Sequence, residues 1–129
     1  MKLESFEDLE CWKAGRELRQ YVALAVVPRL PSEERRRLGD QILRAARSVT
    51  ANVAEGFGRF HYVDNAKFCR TALGSCCEVL DHLLTGHDEA LITSECLAAG
   101  RLKVEKARNL LMGYIAYLRR ASKSAEAKG

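Results

Sequence analysis

Asn52, Glu55 and Glu78 are the residues of this 129-residue chain whose types and positions could do chemistry. Two carboxylates near an amide could exchange a proton with a substrate that reached them. Yet no histidine shares their motif and no nucleophile is flanked by a base, so the catalytic constellation is incomplete. A structural role fits the same residues better. Asn52 and Ser75 would hydrogen-bond across a helix pair, and Glu55 would accept from Arg44, Arg59 or backbone donors, which together would fix helix register. The expectation is a protein that is not an enzyme.

Other chemistries fail on spacing. Cys76, Cys77 and His82 could be soft-metal ligands, but adjacent helical cysteines point about 100° apart and no fourth ligand is evident. The five cysteines form no Cys-x-x-Cys pair, so they are read as small buried hydrophobes. His61 and His87 fall in connections. Gly56-Phe57-Gly58 closes a helix, whereas a phosphate-cradling loop opens one after a strand. Neither a metal nor a cofactor is expected.

Charge carries more. Lys and Arg against Asp and Glu number 5 and 5 over residues 1–31, 6 and 4 over 32–60, 2 and 5 over 61–92, and 8 and 3 over 93–129. The net +4 is thus concentrated as +5 in the last quarter, a plausible footprint for a polyanion. The residues expected to contact nucleic acid are Arg101, Lys103, Lys106, Arg108, Arg119 and Arg120, with Arg36, Arg37, Arg44 and Arg47 from the preceding basic segment. Solvation of exposed helix faces explains such residues equally well, and Asp40 to Arg44 is a simple i,i+4 pair.

The elements that must carry these groups are helices. Leu38, Ile42, Ala45, Val49, Asn52 and Gly56 alternate at spacings of four and three, which places an amide on an apolar seam. Cys11, Gly15, Leu18, Val22 and Ala25 form an earlier seam that Pro28 ends, behind a capping box from Ser5 to Asp8. Phe68, Ala72, Ser75, Val79 and His82 make a third. Leu97, Gly100, Val104, Ala107, Leu111, Tyr114 and Leu118 make a fourth. Four helices over about 6–27, 32–57, 63–85 and 93–121, joined by short connections, predict an all-α, antiparallel, up-down-up-down four-helix bundle. Phe57 and Phe60 are expected to close the end of the second helix. The basic tail 123–129 lacks the apolar pattern and is expected to fray. Trp12, Val26, Val27, Leu110, Ile115 and Tyr117 lie off the single seams and could serve a subunit interface.

The run QILRAARSVTANVAEGFGRF, with FEDLECWKAGREL before it and FCRTALGSCCEVL after it, resembles the four-helix-bundle proteins encoded within intervening sequences of bacterial large-subunit ribosomal RNA genes. That family is similar to the accessory variability proteins of diversity-generating retroelements. The resemblance spans residues 5 to 120 and is densest from Arg44 through Arg59. It implies a homo-oligomeric ring, typically a pentamer. For the retroelement relatives it also implies binding to nucleic acid and to a partner reverse transcriptase. The chain departs from the acidic Glu-x-Glu-like pattern of the family's third helix by reading Cys76-Cys77-Glu78-Val79-Leu80-Asp81, with Glu78 kept in place.

Two readings follow. One is a non-enzymatic accessory protein that holds structured RNA or an RNA–DNA intermediate by its phosphates; five-fold symmetry would join each subunit's basic patch into a belt. The other is a protein-interaction module whose apolar and acidic surfaces hold a partner. With no apolar run near 18 residues and no signal-like N-terminus in MKLESFEDLECW, a cytoplasmic location without membrane contact is expected.

Overall fold

A computed structural model describes residues 3–128. Its first turn is a 3-10 helix, Phe6–Asp8, held by the capping box: Ser5 Oγ accepts from the Glu7 amide at 3.1 Å, and Asp8 Oδ2 accepts from the Ser5 amide at 3.2 Å. Leu9 then turns to an extended conformation, so the first long helix, α1, starts four residues later than the capping box alone implies and spans Glu10–Tyr21. It passes into a π-helical turn, Val22–Val26, and a 3-10 turn, Val27–Arg29, that contains Pro28.

That π turn changes which residues are buried. In an uninterrupted α-helix, steps of four drift about 40° around the axis, and the wider i→i+5 turn takes back that drift. Leu18, Val22 and Val26 consequently stay on one face and are buried, as is Leu30 beyond the 3-10 turn, whereas Ala25, the residue that α-helical spacing selects, is not. Val26 therefore belongs to the core and not to a spare surface. Arg35 fixes the corner that follows by donating from Nε to the Leu30 carbonyl and from Nη2 to the Pro28 carbonyl, both at 3.0 Å.

The second rod starts with a short α turn, Ser32–Glu34, and a second π turn, Arg35–Gly39, before the long helix α2, Asp40–Phe57. Helix α3 covers Tyr62–Asp88 and α4 covers Ser94–Lys128. Contacts run between α1 and α2, α2 and α3, α3 and α4, and α4 and α1. Sequential neighbours joined by short turns give an antiparallel four-helix bundle, and no strand occurs among the described residues. Leu18, Ile42, Val53, Val79, Leu83, Val104 and Leu111 fill its axis. No helix among the described residues is long and apolar enough to cross a membrane.

Three expectations change here. The residues expected to fray continue α4 through Lys128, because Ala, Lys and Glu favour the helix without needing a buried face; Gly129 lies outside the described residues. Ile115 is a core residue, displacing Tyr114 from the full burial that heptad spacing gives it. Phe57 packs against the core, but Phe60 does not close the helix end: it is 93% exposed, and it reverses the chain with a left-handed φ of 62°.

Candidate nucleic-acid interface

The polar seam residues separate into a half-buried cluster and two surface pairs. Asn52 Nδ2 donates to the Ser48 carbonyl at 2.8 Å and to Ser48 Oγ at 2.9 Å, and Ser48 Oγ meets Ser75 Oγ at 2.8 Å. Asn52 and Ser75 thus join α2 to α3 through Ser48, a relay that seam spacing does not reveal because Ser48 sits off the seam. Glu55 and Glu78 take no part in it. Both are exposed, Glu55 accepting from Arg59 Nε at 2.9 Å and Glu78 lying 3.2 Å from His82 Nε2.

A second polar contact fixes the α1–α2 pair, where Arg19 Nη1 donates at 2.7 Å to the buried Thr50 Oγ1. On the far side Asn65, also buried, donates from Nδ2 to Tyr114 Oη at 3.0 Å and ties α3 to α4. The three buried polar residues, Thr50, Asn65 and Ser75, therefore each have a partner on a neighbouring helix, which sets axial register. The thiols are placed as small hydrophobes: Cys11, Cys69, Cys76 and Cys96 are buried and Cys77 is exposed. Burial pushes the Cys76 thiol up to about 12. No group of three or more His, Cys, Asp or Glu side chains stands together among the described residues.

Nine of the ten cations divide by flank and end, and the tenth, Arg120, is exposed on the outer face of α4. On α4, Arg101, Arg108 and Arg119 fall within about 20° of one azimuth at 100° per residue, and they face the α3 side. Arg119 lines a groove of about 440 Å³ with Tyr62, Val63 and Arg70 of α3. Arg108 lies close enough to Cys76 of α3 for its charge to favour the thiolate, and its Nε is buried without a hydrogen-bond partner. Lys103 and Lys106 take the opposite flank, Lys103 Nζ 5.7 Å from the Tyr21 ring centroid and Lys106 Nζ 3.1 Å from Glu17 Oε2. Both therefore already engage α1.

Along the axis the spread is wide. Arg101 and Arg119 are 18 residues apart, which is about 27 Å of helix. Arg36 and Arg37 sit in the second π turn at the end where α4 begins, with Arg37 Nη1 3.8 Å from Glu34 Oε1. Arg44 is exposed, and Arg47 shares a shallow depression with Trp12 and Arg19. One subunit thus carries its cations on separate flanks and at both ends, not in one patch. Arg70 and Lys123, which border the groove beside Arg119, escaped the sequence reading. Arg70 lies in the acidic quarter of the chain, and Lys123 lies in the segment expected to fray.

The architecture agrees with what a comparison of the sequence with known families finds. A model of the 23S rRNA-intervening sequence protein matches residues 7–113. The chain belongs to the 23S rRNA-intervening sequence protein family. The match covers all of α1, α2 and α3 and most of α4, and it stops before Arg119 and Lys123. The last turns of α4, with the core residues Ile115 and Leu118 as well as those cations, lie beyond the matched span. No curated protein matches the chain.

Proposed function

We propose that this member of the family is a non-enzymatic nucleic-acid-binding accessory protein, a basic homo-oligomeric scaffold for structured RNA or an RNA–DNA intermediate. The observation that carries the reading is the +5 excess of residues 93–129, whose cations lie off the buried seam of one long helix. Cations spaced along a rod suit a phosphate backbone, and they give affinity with little sequence preference. Assembly into a ring, a pentamer as the resemblance implies, would repeat both flanks around the axis and turn separated cations into a belt. A reverse transcriptase is the partner that the retroelement resemblance suggests. The exposure of Glu55 and Glu78, each beside a side chain of its own helix, supports a role outside catalysis.

Mobility-shift titration against salt tests this reading. If about five phosphates are neutralised, the logarithmic salt slope on duplex is about −4.5, and replacing Arg101, Lys103 and Lys106 with Gln weakens binding to a similar degree on all sequences. Absence of any binding at low salt refutes it. A protein-interaction module is the second reading, favoured by the exposed acids of α3, Glu78 and Asp81, within the −3 segment 61–92. The 260/280 nm absorbance ratio of material purified from the native host separates retained nucleic acid from a purely protein complex.

A further inference from the structure

Phe60 is poorly suited to its place by every rule of folding. Its φ of 62° is a region that glycine enters freely and a bulky side chain avoids. A ring held there would ordinarily be compensated by burial, yet Phe60 is 93% exposed and gains almost nothing from the core. A strained backbone carrying an exposed aromatic points to a use outside the fold.

Its neighbours share the exposure. Tyr62 and Tyr117 are 43% and 49% exposed, and Tyr117 is stacked on Tyr114 with ring centroids 6.1 Å apart and planes 15° from parallel. Phe60, Tyr62, Tyr114 and Tyr117 line one depression of about 390 Å³. Tyr62 and Leu118 are common to that depression and to the groove bordered by Arg70, Arg119 and Lys123. Three cations against the single acid Glu126 make that groove positive, and Arg119 and Lys123 stand one turn, about 6 Å, apart along α4. The first turn of α3 lies at the same place, since Tyr62 and Val63 line the groove, and His61 at its N-cap gives its first amides no side-chain acceptor.

We propose that this end of the bundle holds a single-stranded stretch of nucleic acid, with unpaired bases stacked on Phe60 and Tyr62 and the backbone phosphates drawn into the groove of Arg70, Arg119 and Lys123. The proposal rests on the nucleic-acid reading above and narrows its substrate. Exposed rings serve unpaired bases, because in a duplex the base faces are already stacked. The positive groove beside the rings favours a polyanion over an apolar peptide.

Fluorescence anisotropy of the full chain with a labelled 12-nucleotide single-stranded RNA, and with the matching duplex, tests it. The single strand is expected to bind several-fold tighter than the duplex. Phe60→Gly weakens the single strand about tenfold and leaves the duplex unchanged, since one stacked base is worth roughly that factor. The same variant unfolds at a temperature higher by a few degrees, because glycine accepts the backbone angle. Arg119→Gln with Lys123→Gln lowers the single-strand salt slope by about 1.4, two phosphates at about 0.7 each. Arg29→Gln, at the opposite end, changes nothing.

If the parent binds RNA and Phe60→Gly binds the single strand equally well, the stacking site is refuted and the broader nucleic-acid reading stands. Parent protein that binds neither form refutes both. Light scattering that shows Phe60→Gly to change the subunit number assigns the ring to a contact between copies and overturns the proposal.

Discussion

Gly56 and Gly74 offer one substitution in two environments. A Cβ added at Gly56 would lie 2.7 Å from Asn65 Oδ1, 2.9 Å from the Asn65 carbonyl oxygen and 3.0 Å from Phe68 Cβ. The carbonyl belongs to the backbone of α3 and cannot rotate away, so α2 and α3 must separate by a few tenths of an ångström. Overpacking of that kind costs about 1–3 kcal/mol, while alanine returns at most about 1 kcal/mol of helix propensity. Gly56→Ala is therefore expected to lose about 1–2 kcal/mol. At Gly74 a Cβ meets nothing within 4 Å, and Gly74→Ala should gain about 0.5–1 kcal/mol. For a chain of this length 1 kcal/mol moves the melting temperature by about 4 °C, so the two variants should lie roughly 6–12 °C apart. Thermal unfolding followed by circular dichroism at 222 nm, at one protein concentration, measures the gap. Equal shifts, or stabilisation by both, would refute the close α2–α3 approach. The consequence reaches the aromatic end, because Asn65 is also the donor to Tyr114.

Three further outcomes follow from buried groups. At pH 8 a maleimide should label Cys77 quickly and the other four cysteines only after unfolding in urea; rapid native labelling of two or more equivalents would contradict their burial. The bundle should lose stability in alkali. Burial raises Cys11 from 9.0 to about 11 and Cys69 and Cys76 to about 12, and it raises Tyr21 and Tyr114 from 10.0 to about 12. Because the folded chain keeps protons that the unfolded chain releases, stability is full below about pH 9 and falls as pH rises toward 12; a urea midpoint constant from pH 8 to 11 would contradict this. Tyr114→Phe removes the acceptor of a buried amide and should cost about 1–2 kcal/mol, read as a fall in the melting temperature.

The bundle was legible because four runs of apolar residues keep helical spacing over many turns, and the buried Leu18, Ile42, Val49, Val79 and Leu111 stand where that spacing places them. The π turns were not legible. They substitute Val26 for Ala25 by changing the angle per residue, a property of backbone pairing that no residue type announces. The α4 terminus was misread for a related reason: apolar periodicity reports what a helix packs against, whereas Ala125, Glu126, Ala127 and Lys128 hold the helix by propensity. Asn52 and Ser75 could be picked out as polar residues on apolar seams, but the intervening Ser48 Oγ depends on the axial offset of two helices.

The same distinction governs the candidate interface. Sequence counts charges along the chain, while a polyanion meets them on a surface, and the bundle converts one count into two flanks. Lys103 and Lys106 are committed to Tyr21 and Glu17, so each would give up a partner in order to bind a phosphate. Arg119 and Lys123 line an open groove and stand in none of the ion pairs formed among the described residues. Exposed ion pairs are worth at most about 1 kcal/mol, so the difference is modest at each residue. It nevertheless has one sign for the whole α3-facing flank. A phosphate backbone should therefore settle first beside Arg119, where no existing contact has to be broken, and the cations on the α1 side should add salt-sensitive affinity only as a longer strand reaches them.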